Sequence, residues 1–305
     1  MLFVDKEQVK VTKFPNGELL VDTTLLRKVK DSTEPLACNN MLVYKYDGSD
    51  SIQELMLACD YLGAAKYTLM ITYMPYERMD RVQEDNCYSL QTFMKQLQAV
   101  FKGEEIYVLE LHSHATEEPI SQKVDVIHPS LFMTTHLSDN IDVICYPDKG
   151  AFNRFSNSGI KKPQVYCNKI RDFATGKIQG LELVTDGCDI KDKHILIVDD
   201  LCSAGGTFYY TAQKLREAGA KEVDLVVTHM ENNVLNGKIL QTTDEKTVID
   251  HIYCMNTMGN MDELDILSKG KNITVYDVLD YVECDTLVPI IVDGDEIAKY
   301  KKHAL

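Results

Sequence analysis

Short apolar runs alternate along this chain with stretches in which apolar residues recur at helical spacing. The runs predict strands at Met41–Tyr46, Tyr67–Tyr73, Ile106–Leu111, Asp142–Tyr146, Gln164–Cys167, Ile195–Val198, Val223–Thr228 and His251–Met255. The helical spacing predicts helices at Ser51–Leu62, Ser89–Val100 and Phe208–Ala218. Strands that alternate with helices in this way indicate an α/β fold with parallel sheets.

The weakest core pattern lies at Ile127–Ser138, and it divides the chain into two halves of similar length. We expect an N-terminal domain over residues 1–133 and a C-terminal domain over residues 134–270. A final segment, 271–305, is expected to pack back on the N-terminal domain. A second irregular stretch, Asp172–Asp192, has little periodicity, and such a stretch inside a compact domain predicts a mobile functional loop.

The composition narrows the classes of function. The 305 residues include 47 acidic and 32 basic ones, and the formal net charge is −15. This charge disfavours binding to nucleic acid or to an anionic membrane, while a local basic pocket for phosphates remains compatible with it. No apolar run approaches the roughly 20 residues of a membrane span, and the first residues show no signal-peptide pattern. We therefore expect a cytoplasmic protein.

The strongest chemical pattern occupies residues 194–207, where an apolar run leads to Asp199 and Asp200 and then to a turn of small residues. In open parallel sheets, ligands bind at the carboxyl ends of the strands, where these two acids fall. The turn offers backbone N–H groups at a helix N-terminus, and Gly205 and Gly206 keep Cβ atoms away from a bound anion. Carboxylates beside such a turn suit a sugar phosphate, because they accept hydrogen bonds from ribose hydroxyls or hold Mg²⁺.

Nine cysteines, an odd number without a CxxC pair, predict reduced thiols that are mostly buried. Cys202 lies within the proposed phosphate turn, so its thiol is either one of these buried groups or a reactive one. No disulfide is expected.

Other charged segments also follow predicted strands. Residues 73–81 contain two arginines, and the guanidinium fork can donate two parallel hydrogen bonds to polyphosphate oxygens. Residues 147–154 contain a carboxylate and a glycine, and Lys169 and Arg171 place two cations on one face of an extended segment. Together with the acids at 199 and 200, these groups are typical of a cleft for a metal and a polyphosphate.

Two histidines, His112 and His114, follow the third predicted strand at i and i+2. On a strand they would face the same side, so a Zn²⁺ site is one interpretation and a contact with phosphate is another. The third interpretation is that these histidines are ordinary polar residues at a strand end and bind no ligand. The sequence spacing leaves these alternatives open.

The order of these segments resembles that of the ribose-phosphate pyrophosphokinase family, also called phosphoribosyl pyrophosphate synthases. The similarity runs from about Lys13 to about Val282. The matching segments are Phe14-Pro15-Asn16-Gly17-Glu18, Pro75-Tyr76-Glu77-Arg78-Met79-Asp80, Leu111-His112, Pro147-Asp148-Lys149-Gly150, Lys169 to Arg171, Asp199 to Thr207 and Met255-Asn256-Thr257. The resemblance implies two similar type I phosphoribosyltransferase-like domains, each a mainly parallel sheet flanked by helices.

The resemblance also implies a role for each matching residue. The residues implied in ATP binding are Phe14, Asn16, Glu18, Arg78, Asp80 and His112. In the family the first three contact adenine from a neighbouring subunit, so a homo-oligomer is implied. The residues implied in ribose-phosphate binding are Asp199, Asp200, Ser203, Ala204, Gly205, Gly206 and Thr207. His112 and Asp148 are implied as Mg²⁺ ligands, and Lys169 and Arg171 as the catalytic cations.

The implied reaction transfers the β,γ-diphosphate of ATP to the anomeric 1-hydroxyl of ribose 5-phosphate and releases AMP. The chain departs from the family pattern at Ser203-Ala204, where Asp-Thr is usual, at Met79, where Gln is usual, and at Glu110, where Asp is usual. The changed turn leaves a second acceptor open, the terminal ribose of ADP-ribose, whose pyrophosphate would serve NAD synthesis. A phosphoribosyltransferase and a catalytically silent regulatory homologue are further alternatives, and release of AMP separates these classes.

Overall fold

The computed structural model describes residues 1–32, 40–82, 85–112, 123–171, 178–240, 248–259 and 272–281. Within this part of the chain, the backbone contacts define two units. Unit 1 comprises described residues from 1–127, 257–259 and 277–281, and unit 2 comprises those from 128–256 and 272–276.

The described part of the chain contains strands and helices in alternation. The strands are β1 (Leu2–Val4), β2 (Glu7–Gln8), β3 (Val11–Lys13), β4 (Leu19–Val21), β5 (Met41–Tyr44), β6 (Thr68–Ile71), β7 (Glu105–Leu109), β8 (Lys123–Ile127), β9 (Val143–Tyr146), β10 (Gln164–Arg171), β11 (Ile178–Val184), β12 (His194–Cys202), β13 (Glu222–Met230), β14 (His251–Met255) and β15 (Ile273–Tyr276). The α-helices are α1 (Thr24–Asp31), α2 (Ser49–Leu62), α3 (Ser89–Val100), α4 (Pro129–Leu137), α5 (Lys149–Phe155), α6 (Gly206–Glu217) and α7 (Val278–Tyr281). Short 3-10 helices occupy Ser138–Asn140, Asn232–Asn236 and Lys238–Leu240.

Each unit contains one large, mainly parallel sheet. The strand order is β2-β1-β5-β6-β7-β8 in unit 1 and β11-β10-β9-β12-β13-β14-β15 in unit 2. Antiparallel pairing is confined to one edge of each sheet, at β1 in unit 1 and at β11 in unit 2. The central strands are apolar runs because helices cover both faces of a parallel sheet, and all four residues of β6 are buried. The predicted fold class is confirmed.

All the predicted strands and helices are present, and three strands, β10, β12 and β13, are longer than the apolar pattern indicated. β10 continues beyond Cys167 to Arg171, and β12 continues beyond Val198 to Cys202. Polar residues interrupt the apolar run in both cases, yet backbone pairing with the neighbouring strand continues past them. The pattern therefore marked the apolar part of each strand and missed the part that begins with the first polar residue.

The interpretation of residues 172–192 as one loop is wrong for Ile178–Val184, which form strand β11. β11 lies antiparallel to β10, and Lys169 pairs with Leu181 in the register of this hairpin. An edge strand is covered less than a central one, so its hydrophobic pattern is weak, and most residues of β11 are only half-buried. Residues 172–177 lie outside the described part of the chain.

Each unit has its own hydrophobic core between its sheet and its helices. Phe208 and Cys202 belong to the core of unit 2, and burial raises the pKa of the Cys202 thiol. A thiol with a raised pKa carries little thiolate, the nucleophilic form, so the buried alternative for Cys202 is favoured over the reactive one.

Among the helices that the structure describes, none is both long and apolar enough to span a membrane.

Candidate functional site

The sequence pattern suggested that the two adjacent acids of unit 2 follow the end of a strand. In the structure they lie inside strand β12, which continues to Cys202. Successive side chains of a strand point to opposite faces, so Asp199 and Asp200 have different surroundings. Asp200 is buried with 3% of its surface exposed, and Asp199 is half-buried. The backbone N–H of Asp200 donates a hydrogen bond of 3.0 Å to Oδ1 of Asp199.

Arg154, to which the sequence analysis gave no role, forms an ion pair with one of these two acids. Arg154, on helix α5, places Nη1 2.8 Å from Oδ2 of Asp200, and both side chains are largely buried. Burial and the neighbouring Asp200 carboxylate raise the pKa of Asp199 well above its ordinary value, and the charge of Arg154 opposes this rise. The two carboxyl groups therefore differ, because Asp200 is paired with an arginine and Asp199 has a raised pKa.

The turn after β12 comprises Ser203, Ala204 and Gly205, and helix α6 begins at Gly206. Gly205 is the N-cap residue and has a left-handed backbone with φ of +74°. A Cβ atom on Gly205 would lie 2.6 Å from Cδ1 of Ile239. The turn therefore needs glycine at this position for two reasons, the sign of φ and the close approach of Ile239.

The segment after β13 supports the same turn. The amide of Asn233 donates a hydrogen bond of 3.3 Å to Oγ of Ser203, and the N–H of Glu231 donates one of 2.8 Å to the carbonyl of Cys202. Gly237 packs so closely on the carbonyl of Ala204 that a Cβ atom at 237 would overlap it. Neither Asn233 nor Gly237 was predicted as part of the site, because only the fold brings them to the turn.

We expect Gly205→Ala to destabilise the protein by about 2–4 kcal/mol, through the left-handed backbone and the clash with Ile239. Gly206→Ala is the matched control, because Gly206 has no positive φ and, apart from its chain neighbours and its own helix backbone, no atom lies within 4 Å of its Cβ position. That control is expected to change stability by about 1 kcal/mol or less. Urea unfolding of the two variants measures the difference, and equal stabilities would contradict this account of the turn.

Asp148 and Lys169 form a second charged pair in unit 2. Asp148 is the N-cap of α5, where its Oδ1 accepts a hydrogen bond of 3.0 Å from the N–H of Ala151. Its Oδ2 lies 2.7 Å from Nζ of Lys169 on β10. Burial alone would raise the pKa of Asp148, but the hydrogen bonds from Lys169 and Ala151 and the ammonium charge outweigh it and lower the pKa. Asp148 is therefore an ionised carboxylate at neutral pH.

The sequence analysis considered Lys169 and Arg171 as part of an extended segment, and both lie on strand β10. The register of the β10–β11 pair shifts between Ile170 and Arg171, so the strand is irregular at its end. The side chain of Arg171 lies outside the described part of the structure.

In unit 1, residues 14–18 form the turn of the β3–β4 hairpin. The side chain of Phe14 is 45% exposed, and Asn16 and Glu18 are exposed too. The amide of Asn16 donates a hydrogen bond of 2.8 Å to the carboxylate of Glu18 and accepts one of 3.2 Å from the backbone N–H of Glu18. An exposed aromatic ring beside an ordered amide and carboxylate is a surface that can contact a planar base.

The other predicted ATP residues follow two neighbouring parallel strands of unit 1, β6 and β7. Arg78 is exposed and Asp80 is half-buried, and both follow β6. His112 follows the end of β7 and does not lie on the strand, so the expectation that this histidine lies on a strand face is wrong. His114 lies outside the described residues. The backbone N–H of His112 donates a long hydrogen bond of 3.4 Å to Oε2 of the buried Glu77, which joins these two segments.

The fold shows which predicted residues lie near one another within each unit and which neighbouring residues the sequence analysis missed. Within unit 1, segment 75–80 and His112 come together at the carboxyl ends of the strands. Within unit 2, the Asp148–Lys169 pair, the two acids of β12 and the turn lie at the carboxyl ends of β9, β10 and β12. Arg154 was missed, although it lies in the segment after β9 that the sequence analysis had singled out.

The fold and the turn between β12 and α6 define the chain as a phosphoribosyltransferase-type α/β protein. The model of the phosphoribosyl transferase domain matches residues 118–252. Phosphoribosylpyrophosphate synthetase from Mycobacterium smegmatis shares this fold, with a TM-score of 0.69 at 18% identity over 92% of this chain and 90% of that one.

Comparison with curated sequences defines the family more narrowly. Ribose-phosphate pyrophosphokinase from Pyrococcus abyssi is 31% identical over 72% of this chain and 75% of its own length. The enzyme of the same name from Pyrococcus furiosus is 30% identical over 72% of this chain and 77% of its own length. Ribose-phosphate pyrophosphokinase 2 from Schizosaccharomyces pombe is 25% identical over 77% of this chain and 74% of its own length. The chain belongs to the ribose-phosphate pyrophosphokinase family, a family of diphosphotransferases, and the resemblance drawn from its motifs is confirmed.

Proposed function

We propose that this protein transfers the β,γ-diphosphate of ATP to the anomeric 1-hydroxyl of ribose 5-phosphate, with release of AMP. The observation that supports this most directly is the arrangement in unit 2, where a glycine-based turn at a helix N-terminus follows a strand that carries two acids. The turn provides N–H groups for the 5-phosphate, and the acids provide acceptors for the ribose hydroxyls.

The described residues fit a Mg²⁺ ion as the cofactor. Mg²⁺ takes oxygen ligands, and the carboxylate of Asp148 is ionised at neutral pH because its pKa is lowered. We propose Asp148 in unit 2 and His112 in unit 1 as residues that would each contact Mg²⁺. When bound, the ion would neutralise charge on the phosphate oxygens of ATP.

The residues of the chain itself supply the other requirements for diphosphate transfer. Ser203, Ala204, Gly205, Gly206 and Thr207 would bind the 5-phosphate, and Asp199 and Asp200 would orient the ribose. The pKa of the half-buried Asp199 carboxyl is raised, whereas Asp200 is held by Arg154. A hydroxyl oriented in line with the β-phosphorus reacts with little further help, because phosphoryl transfer depends on positioning and on charge stabilisation.

The cations of β10 would stabilise the transferring group. Lys169 bonds to Asp148 in this structure, so its ammonium group is already held near the residue that we propose as a metal ligand. Charge that develops on the diphosphate oxygens would be met by Lys169 and Arg171, and such contacts lower the barrier because they are strongest in the transition state.

We propose that ATP is bound by residues of unit 1, namely Phe14, Asn16, Glu18, Arg78, Asp80 and His112. The exposure of Phe14 fits a ring that contacts adenine bound to another subunit, so we infer a homo-oligomer of at least two chains. Arg78 would meet the phosphates of ATP through its guanidinium group.

The test is release of AMP from ATP and Mg²⁺ in the presence of ribose 5-phosphate. We expect AMP and phosphoribosyl pyrophosphate in equal amounts, and no AMP without the acceptor. ADP-ribose, offered in place of ribose 5-phosphate, probes the altered turn at Ser203-Ala204 and is expected to react at least about tenfold more slowly. Turnover with ADP-ribose alone would overturn the proposed acceptor, and no AMP with either acceptor would overturn diphosphate transfer itself.

A further inference from the structure

Unit 2 has a polar cavity of about 530 Å³ at the edge of its sheet where the parallel strands begin. This edge is opposite to the one that carries Asp199 and Asp200, because β12 runs from His194 in the cavity to the acids near its other end. His194, Glu222 and Asp224 line the cavity, and the proposed reaction uses none of them.

The register of the sheet brings these three side chains together. His194 on β12 pairs with Glu222 on the parallel strand β13, and Leu196 pairs with Asp224. Side chains two residues apart on a strand lie on the same face, so Glu222 and Asp224 both lie beside His194. The first residues of two strands thus form one cluster of one imidazole and two carboxylates.

The donor atoms of the cluster are close enough to share one ion. Nε2 of His194 lies 2.9 Å from Oδ2 of Asp224, and Nδ1 lies 3.8 Å from Oε2 of Glu222. One donor atom from each residue can be chosen so that all three lie within 4.8 Å of one another. An imidazole nitrogen with carboxylate oxygens is a donor set that Zn²⁺ and its neighbours among the transition metals bind.

A second observation points independently to a ligand. Asp224 is 4% exposed, and within the part of the chain that the structure describes its Oδ1 has no hydrogen-bond donor. Buried acceptors are nearly always satisfied, so an acceptor of this kind on the wall of a cavity calls for a partner. A cation bound between His194 and Glu222 would supply it.

The charge of the cavity favours a cation over an anion. Its wall contains four carboxylates, from Asp142, Asp192, Glu222 and Asp224, against one lysine, Lys221. Carboxylates crowded in this way repel one another, and a divalent ion relieves the repulsion.

We propose that His194, Glu222 and Asp224 bind a divalent transition-metal ion of the Zn²⁺ class, at a site distinct from the proposed reaction site. The ion would join the beginning of β12 to that of β13. Because such an ion binds the folded state only, it would stabilise unit 2 by mass action.

Titration of the full chain with Co²⁺, followed by visible absorption, tests this site. Co²⁺ substitutes for Zn²⁺ and reports its ligands spectroscopically, and an excess of Mg²⁺ throughout keeps the oxygen-ligand sites occupied. Glu222→Gln and Asp224→Asn preserve shape while they remove charge, and His194→Ala removes the imidazole. The matched controls are His136→Ala and Glu217→Gln, both on exposed side chains, and Cys87→Ser, which removes an exposed thiol.

We expect wild type and the three controls to bind about one equivalent of Co²⁺ with visible bands, and each ligand variant to lose at least about tenfold in affinity. Zn²⁺ should raise the Tm of wild type and controls, and it should raise that of Glu222→Gln and Asp224→Asn less. The proposal is overturned if wild type shows no such bands, or if the two isosteric variants bind Co²⁺ as wild type does. The Co²⁺ absorption bands and the Tm shift are measured without turnover. Their result therefore does not depend on whether the protein releases AMP.

Discussion

Lys169→Ala is expected to lower kcat about 10³-fold and to leave the KM for ATP within about twofold of wild type. The physical reason is that the ammonium group would meet charge that develops on the diphosphate only during transfer. An interaction made only in the transition state contributes to kcat and not to ground-state binding. Steady-state release of AMP, with ATP varied at saturating ribose 5-phosphate, measures both quantities.

Two further variants interpret the result. Lys161→Ala removes an exposed lysine that precedes the same strand, and it should turn over as wild type does. Lys169→Arg keeps a cation that can pair with Asp148, so it should recover part of the lost rate. A kcat for Lys169→Ala within a few-fold of wild type would remove Lys169 from the catalytic role. A raised KM with unchanged kcat would instead make it a binding residue.

Arg154→Met is expected to lower the free energy of unfolding by about 3 kcal/mol, because it leaves the Asp200 carboxylate buried without its cation. The side chains of Arg154 and Asp200 are only 18% and 4% exposed, so water cannot replace the lost partner. For a unit of this size, such a loss corresponds to a fall in Tm of roughly 6–12 °C. Thermal unfolding followed by circular dichroism measures it.

A double variant separates loss of charge pairing from loss of packing. Adding Asp200→Asn to Arg154→Met removes the uncompensated charge, so the double variant should be more stable than Arg154→Met alone. Arg81→Met is the surface control, because Arg81 pairs with Asp80 while 69% of its side chain is exposed, and it should change stability by about 0.5 kcal/mol or less. If Arg154→Met were as stable as Arg81→Met, the buried pair would have no structural role.

The alternation of strands and helices, the positions of the central strands and the turn with Gly205 and Gly206 could be predicted from the sequence. These features have local causes, since buried strands need apolar runs and a tight turn before a helix needs small residues. The family could be recognised for the same reason, because its motifs are short segments that follow strands. The roles of the predicted site residues remain proposals that the variants above address.

The tertiary structure alone revealed three other features. β11 is an edge strand that is only half-buried, so its residues do not show the pattern of a buried strand, and the sequence indicated a loop in its place. Arg154 and Asp200 are 46 positions apart in the sequence, and only the packing of α5 beside β12 brings their charges together. Gly237 lies against Ala204 because the segment after β13 turns back over the phosphate turn.

The sequence by itself determined the class of fold, the family and the segments that carry polar chemistry, because each depends on neighbours within a few residues. Only the tertiary structure decided which of those groups are paired, which are buried, and that His194, Glu222 and Asp224 form a cluster. Contacts of that kind depend on the register between strands distant in sequence, and register is set by the packing of the whole sheet.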